Sequence, residues 1–266
     1  MKVEHLFERA AKNSQPPTIT RLETEQAITM LNKHCSDAIW MLQNNRPLWR
    51  GDKSFNKGNF FTADPSLTTR VSQNTSNHYT LILDNIPSMK RYPKRSKSFI
   101  ATTSYRDACM YTDDFDPYSL PHVLVPYNGV RIGSTDSNDM WGTHVEIGDE
   151  IMDLESFNDL MLKLKIKSNS WNNMLASAAE LAEKIKENGV PKNLEDYFDR
   201  MFKKKDLIKF LQSFEENVNR IFDPKRTKFS SFTTANFKWK RETEMWIGGP
   251  CIIISEDMWG ELRKAL

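Results

Sequence analysis

No apolar run in this chain approaches the roughly 20 residues that a membrane-spanning helix needs, so no such helix is expected. The amino terminus, Met1-Lys2-Val3-Glu4-His5-Leu6, lacks the apolar core of a secretory signal, and export is not expected either. Cysteine is scarce. Cys35, Cys109 and Cys251 are far apart and odd in number, which implies neither a disulfide framework nor a zinc site. A reducing cytoplasm is the expected compartment. The five histidines, His5, His34, His78, His122 and His144, show no ligand spacing, so no metal is expected. No Gly-x-Gly-x-x-Gly follows an expected strand, which argues against a Rossmann dinucleotide site. The net charge of +2 excludes a globally basic nucleic-acid binder but not a local patch. There is no internal repeat and no low-complexity tract.

What is present is an ordinary globular composition. With 266 residues, 39 % of them hydrophobic, the chain can bury a real core as one large domain or two small ones. Residues 1–47 read as a loose arm followed by helix, with Ala27, Ile28, Leu31, Ala38, Ile39 and Leu42 at helical spacing. Leu48-Trp49-Arg50 reads as a short strand ended by Gly51. Residues 51–78 read as loop with Phe60-Phe61 as an anchor, and Tyr79–Ile82 fits a strand or a helix start. Ser98 to Ser104 reads as a strand ending in hydroxyls, and Tyr105 to Tyr111 as a helix. His122–Pro126 and the segment after Gly129 are further strands. From 151 to 226 the pattern turns helical. Leu154, Phe157, Leu160, Met161 and Leu164 mark one helix, and Met174 to Ile185 a second, stopped at Gly189. Leu194 to Phe202 and Leu207 to Ile221 complete this block, which interrupts a chain that is otherwise strand-containing. Residues 227–266 return to strands.

Charge is uneven. Lys90, Arg91, Lys94, Arg95 and Lys97 fall in one stretch, and Lys225, Arg226, Lys228, Lys238, Lys240 and Arg241 lead into a strand with little acid to offset them. That strand is Lys240-Arg241-Glu242-Thr243-Glu244-Met245-Trp246-Ile247, followed by Gly248-Gly249-Pro250 and Cys251-Ile252-Ile253-Ile254. In a strand Glu242 and Glu244 would share one face and Thr243, Met245 and Ile247 the other. Two carboxylates on one strand face beside a buried hairpin point to a site. The second copy, Glu23-Thr24-Glu25, lies in a helix pattern and reads as a solvated face.

Taken in order, Pro47-Leu48-Trp49-Arg50-Gly51, Thr102-Thr103-Ser104 and Glu242-Thr243-Glu244 make the chain resemble mono-ADP-ribosyltransferases of the R-S-E group. Within that group it is most similar to the tailed-bacteriophage enzymes that modify bacterial proteins. The match covers about a third of the chain, in three separated blocks. The family's central motif begins with serine, where Thr102 stands here. Threonine keeps the hydroxyl, and Ala101-Thr102-Thr103 or Ser98 are alternative alignments.

The resemblance implies an α+β fold: two packed, mostly antiparallel sheets formed by 48–150 and 227–266, with peripheral helices and 151–226 inserted. It implies NAD as substrate, no metal, and transfer of ADP-ribose to a macromolecule in the cytoplasm of a bacterial host. Cleavage of the nicotinamide–ribose bond builds positive charge on the ribose, as in glycoside hydrolysis. The resemblance gives Glu244 the stabilisation of that cation and Glu242 the positioning or deprotonation of the acceptor. Arg50, beside Gly51, would hold phosphates or ribose. A hydroxyl of Thr102, Thr103 or Ser104 would hold the carboxylate, and Tyr111 or Tyr105 would stack on nicotinamide unless it packs in the helix. Glutamate two residues before the catalytic one goes with protein arginine as acceptor. Phe237, Lys238, Trp239, Lys240 and Arg241 stand where relatives recognise their target. Their aromatic and basic mixture also suits RNA or DNA, unless Trp239 packs beneath the hairpin. A non-catalytic binding module of the same fold is the third expectation.

Overall fold

The computed structural model describes residues 19–51, 58–70, 76–112, 120–136, 145–147, 150–192 and 203–265. Its strands are β1 (Ile19–Leu22), β2 (Leu48–Arg50), β3 (Phe60–Ala63), β4 (Phe99–Thr102), β5 (His122–Pro126), β6 (Arg131–Ser134), β7 (Val145–Ile147), β8 (Glu150–Met152), β9 (Ser230–Thr233), β10 (Glu244–Ile247) and β11 (Cys251–Ser255). The chain divides into two compact units, one of which is Ser14–Arg70, Arg91–Asp139 and Lys228–Leu266. This unit carries nine antiparallel strands in the order β1-β3-β11-β5-β2-β4-β10-β6-β9. β11 is interior because Ile252, Ile253 and Ile254 are β-branched and apolar on both faces, which suits a strand buried on both sides. All three are fully buried.

The ladder has one weak joint. β2 meets β4 through a single residue pair, Trp49 with Thr102, whereas β5 and β11 share five. The nine strands nevertheless form one continuous sheet. Helices α1 (Thr24–His34) and α2 (Ile39–Gln43) bury Ala27, Leu31, Met41 and Leu42 in the same core, and Trp259 and Leu262 of the helix Glu256–Ala265 join them.

The other unit includes Val71–Lys90 and Met140–Thr227. It contains α3 (His78–Asn85), the hairpin β7–β8, α5 (Leu154–Lys163), α6 (Trp171–Asn188) and the helices Lys204–Gln212 and Phe214–Ile221. The ends of α5 and α6 obey capping chemistry. Asp153 and Ser170 accept from the backbone amides of Ser156 and Asn173, and Gly189 ends α6 at φ 81°. Tyr79, Phe157, Phe210 and Phe222 meet at ring separations of 5.7 to 6.3 Å. The helical character read over 151–226 is there, with α3 added from outside that range. The expected helix Leu194–Phe202 lies outside the described residues.

Two readings change. Phe60-Phe61 is not a loop anchor: it opens β3, whose partners β1 and β11 are remote in sequence. Of the strand and the helix start open for Tyr79–Ile82, the helix is the one found, in α3. The second change is that the helix after Ser104 is short, α4 (Tyr105–Cys109), so Tyr111 lies past its end.

His78 is expected to make this helical unit pH-sensitive. It is buried, with Nδ1 2.6 Å from Ser76 Oγ and Nε2 2.6 Å from the Ile166 carbonyl. Burial holds its pKa below the ordinary 6.5, against the smaller upward pull of the Ile166 carbonyl. The folded state thus binds the proton less well than the unfolded one. Stability is full above the unfolded pKa and falls as pH drops below it, by at most about 1.4 kcal/mol per pH unit. Hydrogen exchange of α3 amides at pH 7.5 and pH 5.5 should show faster opening at the lower value. In His78→Gln this acceleration should shrink.

Candidate functional site

The register of β2, β4 and β10 sets the geometry. Trp49 pairs with Thr102, and Thr102 pairs with Glu244, so these three side chains form one row across neighbouring strands. Directly opposed residues hold their Cβ atoms about 4.5–5.5 Å apart. Residues separated by more than 50 positions in sequence are thereby placed side by side.

Glu244 is a buried acid, 6 % exposed. Its backbone carbonyl accepts from Thr135 N (3.1 Å) and Thr135 Oγ1 (3.3 Å). Its Oε1 accepts from Trp246 Nε1 at 2.6 Å. Trp246 is two residues on in the strand and so shares the Glu244 face. Sequence reading used Trp246 only as a strand former and missed this bond. The available signal was its i+2 spacing and its single N–H donor.

The hydroxyl triplet divides its labour. Thr102 stands opposite Glu244, and its Oγ1 accepts from Ser104 N at 3.0 Å. Thr103 Oγ1 accepts from Thr243 N at 2.9 Å, while Thr103 N donates to the Thr243 carbonyl at 3.1 Å. Ser104 caps α4 by accepting from Asp107 N. Ser98, at the other end of β4, donates to the Lys94 carbonyl. Of the three, Thr102 is the one in register with Glu244.

Glu242 is not where strand alternation put it. β10 begins at Glu244, and Glu242 takes left-handed backbone at φ 54°. The cause lies next door: the Thr103 side chain takes the Thr243 amide that a continuing ladder would give to a carbonyl. The chain turns there, leaving Glu242 exposed with Oε1 3.6 Å from Arg241 Nε. The two acids are neighbours in sequence but differ in setting, one buried and one solvated.

Arg50 ends β2. Alternation starts its side chain on the face opposite Trp49, Thr102 and Glu244. Its guanidinium lies 5.3 Å from the Phe99 ring centroid, and Nη1 donates to the Ile100 carbonyl at 2.7 Å. Arg50 thus ties the end of β2 to β4 on the face away from Glu244. Gly51 follows at a close crossing: a Cβ there would lie 2.1 Å from the Ala108 carbonyl oxygen and 2.9 Å from Tyr111 backbone. Tyr111 is exposed. Tyr105 is half-exposed, donates to Glu256 Oε2 at 2.7 Å and packs edge-on to Trp49 at 5.0 Å.

The segment before β10 is partly interior. Phe237 is buried in the core, and Trp239 is partly buried with Nε1 donating to the Pro47 carbonyl at 3.2 Å. Lys240 is exposed and pairs with Asp136 at 2.8 Å; Lys238 and Arg241 are exposed. Lys240 beside Asp136 holds that carboxyl below the usual range. The exposed part of this segment is cationic rather than aromatic.

Among the described residues no group of three or more His, Cys, Asp or Glu side chains is placed to hold a metal ion, and no helix is long and apolar enough to cross a membrane. Comparison of the chain with family models, with curated proteins and with solved structures finds no match.

Proposed function

We propose that the chain is an NAD-dependent mono-ADP-ribosyltransferase whose catalytic acid is Glu244. The observation that carries this reading is the Thr102–Glu244 pair, with β4 lying between β10 and the strand that ends in Arg50. A hydroxyl motif, an acid motif and an arginine motif from three distant parts of the sequence thus come from β4, β10 and β2, which are consecutive in the sheet. The short β2–β4 pairing at Trp49–Thr102 supports, as part of the same proposal, a two-sheet, ADP-ribosyltransferase-like arrangement.

In the reaction, the bond between ribose C1′ and the nicotinamide nitrogen breaks, and its electron pair leaves with neutral nicotinamide. The cationic ribose is stabilised by the Glu244 carboxylate, fixed beforehand by its partners. An acceptor nitrogen, for which arginine of a bacterial host protein is the first choice, then attacks C1′ and loses a proton. Glu242, solvated and outside the strand, takes that proton or positions the acceptor. Arg50, whose side chain starts on the other face, braces the end of β2 against β4 through the Ile100 carbonyl; its part in this reading is to hold the strand beside the Thr102–Glu244 pair. Lys238, Lys240 and Arg241 face the acceptor. The interior placement of Phe237 and Trp239 weighs against base stacking, and with it against RNA or DNA.

The test uses NAD labelled in its adenylate part, incubated with the purified chain and a bacterial lysate. Label removed by protease but not by nuclease is expected. The reverse pattern would replace the protein acceptor with nucleic acid. No label and no nicotinamide release from a folded sample would replace the enzyme with a binding module.

A further inference from the structure

Arg95 belongs to the basic stretch before β4, yet it is 7 % exposed. Its guanidinium carbon sits 5.8 Å from the ring centroid of Trp246. Trp246 is fully buried, with Phe229 at 4.6 Å and tilted by 52°. Gly133 stands opposite Trp246 across β6 and β10, and a Cβ on it would come within 2.6 Å of the Phe229 ring. The indole is thus fixed in one orientation, and that orientation aims Nε1–H at Glu244 Oε1.

We infer that Trp246 and Arg95 are positioning residues for Glu244: the indole N–H locks the carboxylate rotamer, and the cation over the ring strengthens that donor. This rests on the transferase reading above. A cation on an aromatic face draws on the ring's electron density, which makes the N–H more polar. Hydrogen bonds to an ionised acceptor are stronger than neutral ones and more so away from water. The carboxylate then enters the reaction already oriented, with nothing to reorganise as charge builds on the ribose. The effect belongs in kcat, since neither residue is required to touch NAD in its ground state.

The test compares nicotinamide release by wild type, Glu244→Gln, Trp246→Phe, Arg95→Met and Arg95→Lys. Trp246→Phe keeps an aromatic ring and loses the donor. Its kcat should fall about 10- to 100-fold, the span of one charge-assisted hydrogen bond, with KM for NAD little changed. Arg95→Met should lower kcat less, and Arg95→Lys should retain more activity than Arg95→Met. In the Glu244→Gln background, Trp246→Phe should cause no further loss, because both act through one carboxylate. The indole 15N–1H resonance of Trp246 gives a readout that needs no turnover, and it should move when Glu244 becomes glutamine.

An unchanged kcat in folded Trp246→Phe overturns the positioning role while leaving the transferase reading intact. A wild-type protein that releases no nicotinamide overturns both. If Trp246→Phe does not fold, an indole resonance indifferent to Glu244→Gln overturns the inference by itself.

Discussion

Glu244→Gln is expected to lower nicotinamide release from NAD by ~10²–10⁴-fold while leaving the protein folded. The substitution conserves shape and removes charge. The glutamine carbonyl can still accept from Trp246 Nε1, and the backbone bonds to Thr135 do not involve the side chain. What is lost is the anion facing a cationic ribose. Nicotinamide release separates this from unfolding when read beside the near-ultraviolet circular dichroism of the same samples. Wild-type activity in Glu244→Gln would remove Glu244 from the mechanism. Glu242→Gln makes the contrast. Its side chain is exposed and its ion pair with Arg241 is a surface one, worth about 0–1 kcal/mol. NAD hydrolysis should persist in that variant while transfer to the acceptor is lost.

How much of this was legible in the sequence depends on where each residue's partner lies. The hairpin around Gly248-Gly249-Pro250 was legible because the turn residues and the isoleucines are adjacent, and so was the apolar stripe of α6. β3 was not. Phe60-Phe61 sits among Asn, Ser and Thr, and its partners in β1 and β11 lie about 40 and 190 residues away. The three motifs could be read in order, and the structure brings their strands together as β2, β4 and β10. The Thr102–Glu244 alignment follows from register, which a sequence does not display. Alternation applied to Glu242 failed because a side chain 140 residues away in sequence, Thr103, ends the ladder at Thr243. Phe237 and Trp239 looked like a recognition surface by composition. Burial, and a bond from Trp239 to Pro47, make them largely interior. Arg95 reads only as one member of the basic stretch from Lys90 to Lys97 for the same reason: nothing nearby in sequence announces that Trp246 lies beneath it.

The second large effect is expected at Gly51, where only a hydrogen fits. In Gly51→Ala the new methyl would stand 2.1 Å from the Ala108 carbonyl oxygen and 2.9 Å from Tyr111 C and Cβ. Carbonyl and main-chain carbons cannot swing aside like the end of a lysine, so either α4 or the end of β2 must move. Both moves disturb the site. Shifting α4 pulls Tyr105 from Trp49 and loosens the Ser104 cap two residues beyond Thr102. Shifting β2 displaces the Arg50 guanidinium from the Ile100 carbonyl and strains the one residue pair that joins β2 to β4. Overpacking of this kind costs about 1–3 kcal/mol, and a displacement of about 1 Å at a reacting centre lowers turnover by roughly 10²-fold. Gly129→Ala is the control. Gly129 has φ 74° and nothing within 4 Å of an added Cβ, so alanine there meets only the backbone penalty of roughly 1–2 kcal/mol for a left-handed residue. Thermal unfolding and nicotinamide release measured together should therefore separate the two glycines: both variants lose stability, and only Gly51→Ala loses activity beyond what its unfolded fraction explains. Equal retained activity in the two would mean that the crossing of β2 over α4 does not position the site.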